Sequence, residues 1–215
     1  MTDLGISFEN VSKVIEKNTI FENVNIYLDY GKIYGFVGRN GSGKTIALKM
    51  ICGFVKPTTG SICIDGNNIF KRNYFNGEIR ALIENPKFIN DLSGIENLRL
   101  LASIQKKIGD DEIEKLLKKL NLYSEKDKKY SKYSLGMKQK LGIIQVFMEN
   151  PKIILLDEPF NGLDESSVSI VKKLIKEEKD KGKLIIIASH IKEDLKSLCD
   201  EEIVFDSGRV CKAEN

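Results

Sequence analysis

The feature that most constrains this chain is a glycine-rich loop that joins a short apolar run to a helix. The loop reads Gly38-Arg39-Asn40-Gly41-Ser42-Gly43-Lys44-Thr45 and fits the pattern GxxxxGK[ST]. Before it, Ile33 to Val37 predicts a buried strand; after it, apolar residues from Ile46 to Ile51 predict a helix that ends at Gly53. A strand, a glycine loop and a helix in this order are the local context of a phosphate-binding loop.

This loop predicts how Mg-ATP is bound. Its glycines let successive backbone N–H groups turn toward phosphate oxygens, and the helix that follows presents its positive end. Lys44 should reach the β- and γ-phosphates, and the Thr45 hydroxyl should meet Mg²⁺. The residues expected to contact ATP are therefore Gly38, Arg39, Asn40, Gly41, Ser42, Gly43, Lys44, Thr45 and Ile46.

Two adjacent carboxylates follow a second apolar run. Ile153 to Leu156 predicts a strand buried on both faces, and Asp157 and Glu158 come directly after it. Open α/β sheets bind ligands at the carboxyl ends of their strands. We expect Asp157 to hold Mg²⁺ through water and Glu158 to polarise the water that attacks the γ-phosphate. The alternative, two solvent-facing residues of a turn, is disfavoured by the loop in the same chain.

The pattern of elements predicts an α/β fold with a helical insert. Alternating apolar residues from Ile6 to Ile64 indicate a β-rich, partly antiparallel beginning. Residues 85–150 are predicted to be all-helical, with a Ser93 to Glu96 capping box and a last helix that starts after Gly136. The expected organisation is one ATP-binding α/β core, formed by residues 1–84 and 151–215 around a mostly parallel sheet, with residues 85–150 as an inserted subdomain.

Charge argues against a nucleic-acid partner. The 215 residues carry a net charge of +3, which is small beside the concentrated basic charge of nucleic-acid binders. The lysine-rich stretch from Lys115 to Lys132 is interrupted by Glu125 and Asp127. A solvated helix face is therefore favoured over a nucleic-acid patch.

Three further motifs carry a family resemblance. Tyr133 to Gln139, with the sequence YSLGMKQ, resembles a degenerate form of the LSGGQ signature of ABC-type ATPases. Asn161 to Asp164 resembles the D-loop of that family, and His190, which follows a predicted strand, resembles its switch histidine. All these elements occur in the family's order, and the resemblance covers essentially the whole chain.

The resemblance implies the P-loop NTPase core of ABC type and a head-to-tail homodimer that sandwiches two ATP molecules. Each ATP would lie between the loop of one copy and the signature of the other, which adds Ser134, Gly136 and Asp164 to the nucleotide contacts. His190 would contact the γ-phosphate, so that Lys44, Glu158 and His190 are the expected catalytic residues. The plainer alternatives are a surface histidine and an ordinary helix N-cap at Ser134.

Two positions depart from the family pattern. Glu84 stands where many members carry a glutamine that touches the metal site, and we expect its carboxylate to meet water or Mg²⁺ there. Ile15 aligns with an aromatic residue that often stacks on adenine. Adenine would then pack on an aliphatic surface.

The signature and the stretch around Glu84 look like those of ABC-2 type exporters, including multidrug and antimicrobial-peptide resistance systems. The resemblance therefore implies an ATP-hydrolysing exporter subunit. Apolar runs such as Ile153 to Leu156 are too short to cross a bilayer. Separate integral membrane permease subunits would hold the chain at the cytoplasmic face of the cell membrane. The alternatives are a soluble ABC ATPase of the iron-sulfur assembly type and a P-loop small-molecule kinase, although the kinase leaves Ser134, Asp164 and His190 unexplained.

Overall fold

The computed structural model describes residues 5–71, 77–84 and 86–213. The outer limits of the predicted core, residues 1 and 215, and the predicted start of the insert at residue 85 lie outside these ranges. The described residues form strands and helices with the following bounds: β1 Gly5–Ile15, β2 Asn18–Asp29, β3 Ile33–Val37, α1 Lys44–Ile51, β4 Thr59–Ile64, β5 Asn67–Asn68, β6 Ile79–Leu82, α2 Gly94–Gln105, α3 Asp110–Lys119, α4 Leu135–Phe147, β7 Ile153–Asp157, α5 Glu165–Asp180, β8 Leu184–Ser189, α6 Lys192–Lys196, β9 Glu201–Asp206 and β10 Arg209–Lys212.

Two sheets form the α/β framework. In the larger one the strand order is β10-β9-β3-β8-β7-β6, in which the five strands from β9 to β6 run parallel and β10 pairs antiparallel with β9. The smaller sheet, in the order β2-β1-β4-β5, is antiparallel. The predicted fold class, a mostly parallel sheet with an N-terminal antiparallel part, is confirmed.

The parallel sheet is buried on both faces because its central strands are almost continuously apolar up to their last residues. Along β7, Ile154 and Leu156 pack into one cluster with the middle helices, while Ile153 and Leu155 pack into another with α1 and the antiparallel sheet. Side chains alternate between the faces of a strand, so a continuous apolar run supplies both layers. This packing fixes the carboxyl ends of β3, β7 and β8 side by side.

Serine side chains cap the starts of α2 and α4. Ser93 and Glu96 form the predicted capping box of α2. The predicted start of α4 after Gly136 is wrong, because the Ser134 side chain accepts a hydrogen bond from Met137 N and α4 therefore starts at Leu135. Near the end of the described chain, β9 and β10 form an antiparallel hairpin.

The helices α2, α3 and α4 share a hydrophobic core with one face of the large sheet. Their apolar residues join one cluster with a face of the parallel strands. At Gly142 of α4 a Cβ would lie only 2.9 Å from Leu82 at the end of β6. The division into a core of residues 1–84 and 151–215 and an insert of residues 85–150 remains a prediction. In the described part of the chain, no helix combines the length and apolar character needed to cross a membrane.

Much of the lysine-rich stretch is neutralised locally. Lys126 and Lys118 both pair with Glu114, and Lys128 pairs with Glu125. Lys119 pairs with Glu177 of α5. These pairs support the interpretation of this surface as a solvated helix face.

Candidate active site

The glycine-rich loop runs from the end of β3 to the start of α1 and needs its glycines for steric reasons. Gly43 has a φ of 106°, and a Cβ there would lie 2.8 Å from Ile20 and 3.0 Å from Phe21. A Cβ at Gly38 would lie 2.3 Å from the carbonyl oxygen of Phe205. The loop is therefore wedged between the antiparallel sheet and β9, and only glycine fits at these two positions.

Lys44 and Ser42 supply the polar interior of the loop. Lys44 is 5% exposed, and its ammonium donates to Gly38 O at 2.7 Å and to Arg39 O at 3.0 Å. The Ser42 hydroxyl is buried and has no hydrogen-bond partner among the described residues. A buried polar atom without a partner is unusual in a native structure and marks a place where a ligand would satisfy it.

The loop meets the second predicted site at Thr45. The Thr45 hydroxyl donates to Asp157 Oδ2 at 2.7 Å, although the two residues are 112 positions apart. Asp157 is the last residue of β7, and only 7% of its surface is exposed. The two side chains expected to hold Mg²⁺ thus lie in direct contact.

Glu158 directly follows β7, and both its backbone N–H and its carboxylate contact the residues at the end of β8. Its backbone is left-handed, with a φ of 47°, and its N–H donates to Ala188 O at 2.8 Å. Its Oε1 lies 2.7 Å from His190 Nδ1 and accepts from His190 N at 3.0 Å, while Oε2 accepts from Ser189 Oγ at 3.2 Å. The end of β8 therefore fixes the orientation of the Glu158 carboxylate.

Burial shifts the ionisation of both charged groups beneath the loop. Burial lowers the pKa of Lys44, and the nearby carboxylates of Glu158 and Asp157 oppose this shift. Burial raises the pKa of Asp157, against the hydrogen bond from Thr45. Desolvation in both cases disfavours the charged form. An anion beside Lys44 would favour its ammonium form, and a cation beside Asp157 would favour its carboxylate form.

A cavity of about 190 Å³ lies over the loop. It is lined by residues 40–46 together with Ile20, Asp157 and Glu158. Ile20, which sequence reasoning missed, thus supplies an aliphatic wall, whereas Ile15 at the end of β1 does not line this cavity. The predicted adenine contact of Ile15 remains a prediction.

Glu84 is not directed at Thr45 and Asp157. Its carboxylate forms an ion pair with Lys49 of α1 at 2.5 Å, and 64% of the side chain is exposed. Lys49 also lowers the pKa of Glu84. The backbone of Glu84, by contrast, donates a hydrogen bond that helps to stabilise ionised Asp157. The predicted metal contact of the Glu84 side chain therefore requires this ion pair to open, and it remains a prediction.

Ser134, Gly136 and Asp164 lie at the starts of α4 and α5. Ser134 caps α4 and is exposed, while Asp164 caps α5 by accepting from Ser167 N at 2.8 Å. A Cβ at Gly136 would lie 2.8 Å from Gly162 O, so the signature helix and the loop before α5 are in close contact. Ser134, Gly136 and Asp164 do not line the cavity over the glycine loop, and their nucleotide contacts remain predictions.

The buried side chain of Gln139 links the signature helix α4 to the residues that follow β7. Gln139 of α4 is 6% exposed and donates through Nε2 to Glu158 O at 3.2 Å and to Pro159 O at 3.0 Å. Sequence reasoning placed Gln139 within the signature motif but assigned it no role. Gln139 lies between Lys138 and Lys140, and no pattern in the sequence indicates this contact.

A phosphate-binding loop beside an acidic strand end, on a mostly parallel sheet, defines a P-loop nucleoside triphosphatase. Within that class, residues 21–161 match the family described as ABC transporter. The chain is 40% identical over 205 residues to an uncharacterized ABC transporter ATP-binding protein, YybJ, of Bacillus subtilis (strain 168), with 95% of this chain and 94% of that protein covered. This chain belongs to the ABC transporter family and is an ATP-binding subunit with ATPase activity.

Two further similarities agree with this assignment. The chain is 37% identical over 213 residues to the bacitracin transport ATP-binding protein BcrA of Enterococcus faecalis, covering 98% of this chain and 69% of that protein. A solved structure described as the ATP binding subunit of an ABC transporter superposes with a TM-score of 0.86 at 28% identity, covering 97% of this chain and 89% of that one. As an ABC transporter ATP-binding subunit, the chain works with membrane permease subunits.

Proposed function

We propose that this chain hydrolyses Mg-ATP within a head-to-tail homodimer and so drives an exporter. The observation that carries this proposal is the convergence of the glycine loop, the Thr45 to Asp157 contact and the Glu158 to His190 contact at one edge of the sheet. Parallel strands end together at that edge, where open α/β sheets bind their ligands.

The residues present fit a nucleoside triphosphate. The buried hydroxyl of Ser42, which has no partner among the described residues, is available to a phosphate oxygen. Lys44 donates to two carbonyls of its own loop and can redirect its ammonium toward phosphate, an anion that its buried charge would favour. Backbone N–H groups at the start of α1 complete an anion-binding end.

The same site fits Mg²⁺ through oxygen ligands. Thr45 and Asp157 would hold the ion, which would share the charge of the phosphates. In the described ranges, no cluster of three or more His, Cys, Asp or Glu side chains could hold a metal. That agrees with Mg²⁺, which is typically bound by one or two carboxylates together with phosphate oxygens and water.

Glu158 is the group that we assign to proton transfer. It accepts a proton from the attacking water as the water oxygen bonds to the γ-phosphorus, and the bond from that phosphorus to the bridging oxygen breaks, so that ADP leaves with the electron pair. His190 and Ser189 hold the carboxylate in place and leave the water to be oriented between it and the phosphate. Lys44 stabilises negative charge on the phosphates.

The relatives favour export as the work that hydrolysis drives. The bacitracin transport ATP-binding protein BcrA of Enterococcus faecalis is 37% identical to this chain over 213 residues, which cover 98% of the chain. We propose that the cargo belongs to the class of antimicrobial peptides and that the permease subunits hold the chain at the cytoplasmic face of the membrane. ATP binding closes the dimer, and hydrolysis lets it open.

Replacing Glu158 by Gln tests the chemical part of the proposal. Glu158→Gln removes the proton acceptor and retains the shape, so ATP binding should persist while the rate of phosphate release falls by roughly 10²- to 10⁴-fold. Glu22→Gln, at an exposed position on β2, is the matched control and should keep the parental rate. Hydrolysis by Glu158→Gln at the parental rate would show that Glu158 is not the base.

The transport part is tested in native membranes. Tagged Glu158→Gln, held closed by ATP, should copurify with an integral membrane protein, and the copurification should be lost when Lys44→Ala prevents ATP binding in the same chain. Disruption of the gene should sensitise cells to a peptide antibiotic. Recovery of the tagged protein without any membrane protein would count against an exporter subunit.

A further inference from the structure

We propose that Gln139 is a positioning residue that sets the catalytic geometry of Glu158 in its own chain. Its amide nitrogen donates to the carbonyl oxygens of Glu158 and Pro159, at 3.2 and 3.0 Å, from a side chain that is 6% exposed. The inference rests on the proposed role of Glu158 as the proton acceptor.

The backbone of Glu158 needs such a restraint. With a φ of 47°, Glu158 lies in the left-handed region, which a residue with a Cβ adopts only where its surroundings enforce it. On one side the Glu158 N–H is fixed by Ala188 O of β8. On the other side the carbonyl receives the Gln139 amide and, at a longer 3.3 Å, the N–H of Asn161.

The chemistry of the contact determines which end of the amide takes part. Both neighbours are carbonyl oxygens, which only accept hydrogen bonds, so the NH₂ group of Gln139 must face them. Its two donor hydrogens match two acceptors on consecutive residues. Neither a carboxylate nor a thioether of similar length could make this pair of hydrogen bonds.

The contact also connects α4 to the end of β7. α4 begins at the Ser134 cap, and near its first turn Gly136 lies close enough to Gly162 O that a Cβ would come within 2.8 Å. Gln139 is one turn further along the same helix. A displacement at the exposed start of α4 is therefore passed to the backbone of Glu158 through a buried hydrogen bond instead of through solvent.

The decisive variants remove the donor and keep the volume. Gln139→Met should lower kcat for ATP hydrolysis by about 10- to 100-fold, the size expected when a reacting group is misplaced by about 1 Å. ATP affinity should change by less than about twofold, because the glycine loop is untouched. Gln145→Met, a half-buried glutamine on the same helix, is the matched control and should leave both quantities unchanged. Gln139→Asn, which keeps an amide but is one methylene too short to reach both carbonyls, should show the same loss of kcat if the Met variant does not fold.

A double-variant cycle separates positioning from a general structural role. If Gln139 acts through Glu158, then adding Gln139→Met to Glu158→Gln should not slow the residual hydrolysis further. A further drop in that background, a parallel loss of ATP affinity, or a parental kcat in both Gln139 variants would overturn the inference. A slow Glu158→Gln with parental Gln139 variants overturns this inference alone. A parental rate in Glu158→Gln overturns the proposed function and this inference with it.

Discussion

The carboxylate of Asp164 makes three hydrogen bonds, all within the first turn of α5. It accepts from Ser167 N at 2.8 Å, from Ser166 Oγ at 2.6 Å and from Ser167 Oγ at 3.1 Å. These bonds, with that of Ser166 the strongest contributor, lower the pKa of Asp164 to about 2. The motif around this residue predicts a nucleotide contact, and that contact remains a prediction; what the structure assigns to Asp164 is the start of a helix.

This assignment predicts a specific dependence of stability on pH. The folded pKa lies below the ordinary value of 3.8, so the charged cap stabilises the fold above that value, and its contribution is lost as pH falls through about 2. Asp164→Asn keeps a capping oxygen without the charge and should unfold at lower urea concentration than the parent at neutral pH. The difference between the two proteins should vanish at the acid end of the series.

Urea unfolding at a series of pH values provides this measurement. Asp180→Asn serves as the control because Asp180 is exposed at the opposite end of the same helix. A negative charge there opposes the helix dipole, so its removal should cost no stability. A stability difference for Asp164→Asn that does not change with pH would contradict the assignment of the cap.

Among the secondary-structure elements, α2 begins with the capping box that the sequence predicts. The Ser93 hydroxyl accepts from Glu96 N at 3.3 Å, and Ser93 N donates to Glu96 Oε2 at 2.7 Å. Ser93→Ala should lower the free energy of unfolding by about 1 kcal/mol, the usual cost of losing such a cap. Denaturant unfolding checks this value. Ser103→Ala, at an exposed site in the same helix, should change it by less than about 0.5 kcal/mol, and equal effects of the two changes would refute a special role for the cap.

Features whose residues lie close together in the sequence are the ones that the sequence predicts most directly. The capping box and the glycine loop are each formed by residues that are close together in the sequence. Their residue pattern is therefore enough to predict them. The helix start predicted after Gly136 is wrong because Ser134 caps α4, which therefore begins at Leu135.

Contacts between distant segments were the part that sequence could not supply. Ile20 reaches the glycine loop only because the antiparallel sheet folds against it, so no spacing rule predicts this wall of the cavity. The pairing of Glu84 with Lys49 and that of Gln139 with the end of β7 likewise depend on how helices pack on the large sheet. Tertiary packing determines such contacts, and neither the hydrophobic periodicity nor the composition of the sequence predicts them.

At the scale of the whole molecule, the two predicted halves of the ATP site lie apart. The cavity over the glycine loop is lined by residues 40–46, Ile20, Asp157 and Glu158, while Ser134 stands exposed at the start of α4 and does not line it. An exposed helix start is suited to bind an anion that another molecule presents. This separation supports the proposal that each site is completed by a second copy of the chain.

The predicted dimer can be tested at Ser134 without loss of the helix cap. Aspartate and asparagine both cap helices well, but only aspartate places a negative charge where the partner's γ-phosphate would lie. In the Glu158→Gln background, Ser134→Asn should therefore form a dimer with ATP, and Ser134→Asp should remain monomeric while still binding ATP. Light scattering coupled to gel filtration measures the mass. An ATP-dependent dimer of Ser134→Asp would contradict the sandwich arrangement.

Mixing two defective chains then tests whether each site draws on both copies. In the same Glu158→Gln background, a Ser134→Asp chain has an intact glycine loop, and a Lys44→Ala chain has an intact signature helix. Neither chain can form a complete site with itself, but a mixed dimer would place the intact loop of one against the intact helix start of the other. We expect ATP to drive a dimer that binds one ATP only when the two chains are mixed, measured by mass and by nucleotide content. If the mixture stays monomeric while Ser134→Asn dimerises, the loop and the signature do not meet across the interface.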